Sequence, residues 1–218
     1  MPETSPAHPE AHSRDTSGGI SFSESGSKKR PTGIVGLNLL LDGGFPRGTL
    51  IMVYGSPMAG IDIAARQFWR AEGGEAGTYL MNDGDPEVGM VNVGDVHPDM
   101  YQDWLVSDTM VIDSLSSIVI KYGIDGTLQF LRQARQEIRE TGANILFLVY
   151  DGVHTPIEMT RLMRLSDIVI EYKTEISQSD IERTLAVQKI RGAAAPQRLL
   201  PFIITDNGIE ASTTSRVV

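Results

Sequence analysis

Cysteine is absent from the 218 residues, which excludes a disulfide framework, a thiolate nucleophile and any cysteine-ligated metal site. Lysine is almost absent, with only Lys28, Lys29, Lys121, Lys173 and Lys189. The formal net charge is −9, so passive attraction to nucleic acid or to an anionic membrane is not expected. No stretch reaches the ~18 apolar residues that a membrane span needs. Residues 1–30 also lack the apolar core of a secretory signal. The four histidines (His8, His12, His97, His154) show no ligand spacing, and no metal site is expected. These absences describe a cytoplasmic protein that is neither membrane-bound nor a nucleic-acid binder.

What is present is a chain 41% hydrophobic, long enough to bury one full domain. Residues 1–30 are Ser, Pro, Gly, Glu and His with hardly an apolar side chain, and such a segment is expected to be disordered. The domain is expected over residues 31–213, with 214–218 as a short tail.

The stretch LIMVYGSPMAGIDIAARQFW, residues 50–69, organises the rest. An apolar β-prone run (Leu50 to Tyr54) meets a small-residue loop of Gly55, Ser56, Pro57, Met58, Ala59 and Gly60. A helix is expected to begin near Ile63, with Ile63, Ala64, Gln67 and Phe68 along one side. This is the strand–loop–helix layout of a phosphate-binding loop, G-x-x-x-x-G-K-[ST]. The outer glycines stand at Gly55 and Gly60, but Ile61 replaces the lysine and Asp62 replaces the hydroxyl residue. One swap removes a positive charge and the other adds a negative one. At ~4 Å and an effective dielectric of about 20, each is worth up to roughly 4 kcal/mol against a phosphate. Asp62 is expected to offer its carboxylate to the helix N-terminus, in place of the phosphate. Met58 stands where a sharp turn often demands glycine, and Pro57 has no N–H to donate.

Further along, GTYLM (77–81), MVI ending in Asp113, NILFLVY (144–150) and DIVIEY (167–172) read as buried strands. Residues 84–108 read as irregular, with a short helix from Pro98 to Trp104. Ile124 to Arg139 reads as an amphipathic helix with Leu128, Leu131, Ala134 and Ile138 inward and Arg132, Arg135, Gln136 and Arg139 outward. A helix over 156–165 follows. The end of the chain reads as antiparallel strands, Ile181 to Lys189 and Leu199 to Thr205, with an Asp206-Asn207-Gly208 turn to a last short strand. The fold class is therefore α/β: a mostly parallel central sheet, helices on both faces, and an antiparallel C-terminal extension. Any site is expected at the carboxyl ends of the strands.

Three passages carry a family resemblance. The leader TGIVGLNLLLDGGFPRG, with a short helix at Leu37 to Leu41, precedes the loop at a set distance. The words IDSLS close the strand at Asp113, and Lys189, Arg191 and Gly192 form a K-x-R-G element. Together, over about residues 32–212, they resemble KaiC-type proteins of the RecA superfamily. The resemblance implies a RecA-like P-loop NTPase fold. It implies that Asp113, followed by Ser114, is the Walker-B carboxylate that holds Mg²⁺ through water. An acidic residue after the second strand activates water in that family, and Asp83, or Asp85 in a shifted register, is the nearest equivalent. Tyr150 and Asp151 occupy the place of a γ-phosphate sensor, and Lys189 and Arg191 correspond to basic residues that reach a neighbouring subunit's nucleotide. The residues themselves leave plainer readings open. Asn82-Asp83-Gly84-Asp85-Pro86 is good turn composition, Asp113 can cap the next helix, and His154 can cap helix 156–165. Lys189 and Arg191 can pair with acids at a subunit interface.

Two functional readings follow. The first is a non-catalytic RecA/KaiC-like protein, a pseudo-ATPase that regulates or scaffolds signal transduction. It would have no catalytic residue, no required cofactor and at most weak ATP/Mg binding. Its partners would be proteins: copies of itself in an oligomer, or a related active ATPase. The alternative is a working ATPase that uses Lys189 and Arg191 in trans. A recombinase-like role fits poorly with the acidic balance.

Overall fold

Two uncharged runs, LIMVYG and NILFLVY, form the middle of the molecule because neither tolerates water on either side. They are β1 (Leu50–Gly55) and β5 (Asn144–Tyr150) in a computed structural model that describes residues 29–71, 77–105, 107–177 and 180–212. Side chains alternate across each strand. Leu50, Met52, Ile145, Phe147 and Val149 enter one core, while Ile51, Val53, Leu146 and Leu148 enter the other. Burial on both faces is the condition under which parallel strands read as continuous apolar runs.

The remaining strands are β2 (Gly77–Met81), β3 (Val91–Asn92), β4 (Thr109–Asp113), β6 (Ile168–Ser177), β7 (Asp180–Ile190), β8 (Leu200–Thr205) and β9 (Gly208–Ala211). The nine form one sheet in the order β3-β2-β4-β5-β1-β6-β7-β8-β9. Pairing is parallel from β3 to β6 and antiparallel from β6 to β9. The mixed α/β class, with a parallel centre and an antiparallel C-terminal extension, is thus as the strand signals indicated.

Helices α1 (Val35–Leu40) and α2 (Ile61–Arg70) share one core with the C-terminal strands, and α3 (Leu115–Thr141) and α4 (Pro156–Leu165) contribute to the other. Several bounds differ from the sequence reading. α1 begins two residues earlier than Leu37 and includes Gly36, where an added Cβ would lie 2.2 Å from the carbonyl oxygen of Ala211. α2 begins at Ile61, and its buried face is Ile61, Ala64, Ala65, Phe68 and Trp69. Ile63 and Gln67 are only partly buried. Gln67 works through its amide: Oε1 accepts from the Ile209 N–H at 2.7 Å, and Nε2 donates to the Ile209 carbonyl at 3.2 Å. The expected 124–139 helix is the second piece of α3, which starts at Leu115 and breaks at Gly123 (φ 75°, ψ 162°). Strand β3 was not anticipated and β6 runs on to Ser177, whereas the short helix at Pro98–Trp104 has the expected bounds and is 3₁₀.

The expected tails at 1–30 and 214–218 lie outside the described residues, except for Lys29 and Arg30. Among the described residues, no helix is long and apolar enough to cross a membrane.

Candidate functional site

Parallel register brings the carboxyl ends of the central strands side by side. Gly55 pairs with Tyr150, and Met81 pairs with Asp113. The loop that leaves β1 makes a 3₁₀ turn at Pro57–Ala59, closed by the Ala59 N–H on the Ser56 carbonyl at 3.0 Å. The left-handed residue is Gly60 (φ 78°, ψ 24°). The positive φ is what favours glycine there; a Cβ would also lie 2.8 Å from Ile204 Cδ1, the tip of a side chain that can shift. Met58 takes no positive φ and stands 77% exposed. The expected difficulty at Met58 does not arise, because the loop makes its sharp turn at Gly60.

Ile61 is fully buried in the core shared by β1, α2 and the C-terminal strands. Its Cγ2 lies 3.3 Å from where a Cβ on Gly55 would sit. Asp62 stands in the first turn of α2, where the sequence reading put it, but Gly60 holds the N-cap position and Asp62 makes no cap hydrogen bond. Instead Asp62 Oδ2 accepts from Arg66 Nη1 at 2.6 Å, one turn along the helix. A guanidinium within reach is the stronger partner, since the pair is charged on both sides. Arg66 Nε lies 2.8 Å from Glu87 Oε1. Burial alone would lower the Arg66 pKa, but the hydrogen bond and charge of Asp62 raise it above the ordinary value. Arg66 escaped the sequence reading; the Asp-x-x-x-Arg spacing was the available signal.

Asp113 is buried, 3% exposed. Tyr79 donates its O–H to Asp113 Oδ2 at 2.6 Å. Burial pushes the Asp113 carboxyl up; the Tyr79 hydrogen bond opposes this, and the charges of Asp83 and Asp62 add to it. Burial, and then the Asp113 charge, likewise raise Tyr79 and Tyr150. Asp113 does not cap α3. Ser114 holds that position and makes no side-chain cap bond. Its hydroxyl instead donates to Asp83 Oδ2 at 3.0 Å, and the Ser117 hydroxyl donates to the same oxygen. Asp83 is exposed, as is Asp85, but the two serine hydroxyls hold it close enough for its charge to act on Asp113.

Tyr150 ends β5 with its N–H on Ser116 Oγ at 2.9 Å, and His154 Nε2 meets the same oxygen at 2.8 Å. His154 is not the cap of α4. Thr155 is, in a reciprocal box with Glu158. Burial lowers the His154 pKa. Asp151 is exposed, and its N–H donates to the Gly55 carbonyl at 3.0 Å.

Lys189 and Arg191 are not brought to the loop. Lys189 Nζ donates to the carbonyls of Met163, Arg164 and Ser166 at 2.8, 3.1 and 2.6 Å. Arg191 Nη2 donates to the Leu165 carbonyl at 3.1 Å, and its Nε lies 2.6 Å from Asp167 Oδ1. Both cations thus close the C-terminus of α4, where the helix dipole welcomes them. Asp167 itself sits beside the first residue of β1, its Oδ2 accepting from the Leu50 N–H at 3.0 Å. The basic pair lies at the amino ends of the strands, opposite the loop.

A central parallel sheet in this order, with the β1 loop and Asp113 at its carboxyl edge, defines a RecA-like α/β protein. The KaiC-like protein PH0186 from the hyperthermophilic archaeon Pyrococcus horikoshii OT3 has the same fold: TM-score 0.68 at 20% identity, covering 84% of this chain and 98% of that one. Residues 77–216 match a family of unknown function, DUF7125, and the chain belongs to that family. A search of curated proteins gives no match.

Proposed function

We propose that this chain is a non-catalytic member of the RecA/KaiC-like fold, a regulatory or scaffolding component in signal transduction that acts through protein partners. The observation that carries the proposal is the internal pairing of the site. Each residue that would meet a triphosphate and its magnesium has a partner within the chain. Ile61 is committed to the core, Asp62 to Arg66, Asp113 to Tyr79, and Asp83 to Ser114 and Ser117. These residues do not fit Mg-ATP. Among the described residues, Arg66 is the cation paired with the loop's Asp62, and it already serves both Asp62 and Glu87. The charges of Asp83 and Asp62 already disfavour ionisation of Asp113 at the mouth, and an incoming phosphate would add to that repulsion. Magnesium prefers ionised carboxylates, whereas burial disfavours ionisation of Asp113.

The alternative, an ATPase served in trans by Lys189 and Arg191, requires both side chains to leave the α4 carbonyls and Asp167. Forfeiting charged hydrogen bonds costs about 1.5–3 kcal/mol each. Isothermal titration with Mg-ATP of the full-length chain carrying Arg132→Ala and Arg139→Ala, which leaves the loop untouched, tests the proposal. No saturable heat in the micromolar range is expected. Phosphate release abolished by Arg191→Ala would establish the alternative instead.

A further inference from the structure

Between Arg70 and Lys121 the sequence contains no lysine or arginine, and the carboxyl ends of β2 and β4 fall within that interval. Positive charge is concentrated at the other end of the sheet. There Arg135 Nη2, Arg139 Nη2 and Arg191 Nε converge on a single oxygen, Asp167 Oδ1, at 3.0, 3.9 and 2.6 Å. One buried carboxylate thus serves three guanidiniums. Arg132 lies one turn before Arg135 on the same face of α3 and has no hydrogen bond or ion pair among the described residues. Arg132, Arg135, Gln136, Arg139 and Glu140, all on α3, line a shallow cleft open to solvent. Glu140 is the one acid in that lining, against three arginines.

We propose that this arginine face of α3 binds a small anion carrying two linked phosphoryl groups. The charge count supports an anion: Arg132, Arg135, Arg139 and Arg191 stand against Asp167 and Glu140. Arg135 is lowered from its usual pKa, first by burial and further by Arg191 and Arg139, while Asp167 opposes the shift. The guanidinium supports phosphate, since its planar fork matches two oxygens at once. The spacing supports a pair of phosphoryl groups. Positions 132 and 139 lie ~10 Å apart along the helix axis, which a diphosphate comes closer to bridging than a single phosphate does. The cleft is a different place from the loop, at the opposite end of the strands.

The test is titration of the full chain with inorganic pyrophosphate, alongside the doubly substituted chain Arg132→Ala/Arg139→Ala. Arg139 is half-exposed and Arg132 is exposed, so the substituted chain should fold normally. Arg161→Ala is the control: it removes one remote positive charge, paired with Asp125. Saturable binding is expected, weakened at least about fivefold by the double substitution and unchanged in the control. Two arms identify the source. ADP binding more tightly than pyrophosphate, with the same loss on substitution, points to a nucleotide; weaker ADP binding points to free diphosphate. The proposal is overturned if pyrophosphate does not saturate, if the double substitution changes nothing, or if Arg161→Ala weakens binding equally. Nucleotide binding that survives the double substitution lies elsewhere and counts against the closed loop, not against this cleft.

Discussion

Asp113 shows what the fold asks of a single side chain. It ends a buried strand, and its surroundings favour the neutral form. A carboxyl whose folded pKa is raised binds its proton more tightly in the native state than in the unfolded chain. The stability this supplies is complete below the ordinary carboxylate range and is lost as pH rises through the raised value. Asp113→Asn does not titrate and can still accept the Tyr79 hydroxyl. Its unfolding midpoint should exceed that of the parent chain at neutral pH, with the gain shrinking toward acid; a parallel pair of pH profiles would contradict the assignment. Ile61→Lys bears on the neighbouring position. Restoring the motif lysine is not a neutral repair, because the Ile61 side chain is fully buried. The substitution should lower stability by about 2–4 kcal/mol in urea titration. At this scale the sequence disclosed which residues stand at the mouth but not whom they serve. Asp62 looked like a cap and found Arg66; His154 looked like a cap and left that role to Thr155. Such choices depend on neighbours that chain order does not reveal.

Elements were more legible, and the reason is burial. GTYLM, NILFLVY and the 156–165 helix have the bounds expected of them, because each is a continuous apolar run or an amphipathic repeat between clear stops. The failures are short or mixed. Val91–Asn92 is too brief to carry a period, and the first turns of α3 are apolar and serine-rich without a helical stripe. Gly123 divides α3 with a positive φ that other residues adopt at a cost. Gly123→Ala should therefore destabilise by about 1 kcal/mol, a change visible in the urea midpoint. Thr155→Ala removes one half of the capping box of α4 and should cost a similar amount, ~1 kcal/mol. If circular dichroism melts showed either change to be silent, the helix ends would be held by something other than these residues.

Across the whole molecule, charge is sorted along the strand direction. Acids gather at the carboxyl ends around Asp62, Asp83 and Asp113. At the amino ends, Arg30 and Arg47 share Asp108, and Arg135, Arg139 and Arg191 share Asp167. The RecA-like frame was readable from strand and helix alternation together with the leader and IDSLS. The sorting was not, because Lys189 and Arg191 are far in sequence from α4 and Asp167 and meet them only through the β6–β7 pairing. A frame that ordinarily presents a cradle for phosphate at its carboxyl edge here presents a set of carboxylates already engaged. The most direct test is the thermal midpoint of the Arg132→Ala/Arg139→Ala chain with and without Mg-ATP, since a ligand of the native state must raise it in proportion to its affinity. The account predicts no shift at millimolar nucleotide. A rise that requires magnesium and disappears in Asp113→Asn would show that the loop still holds its nucleotide and would contradict the account.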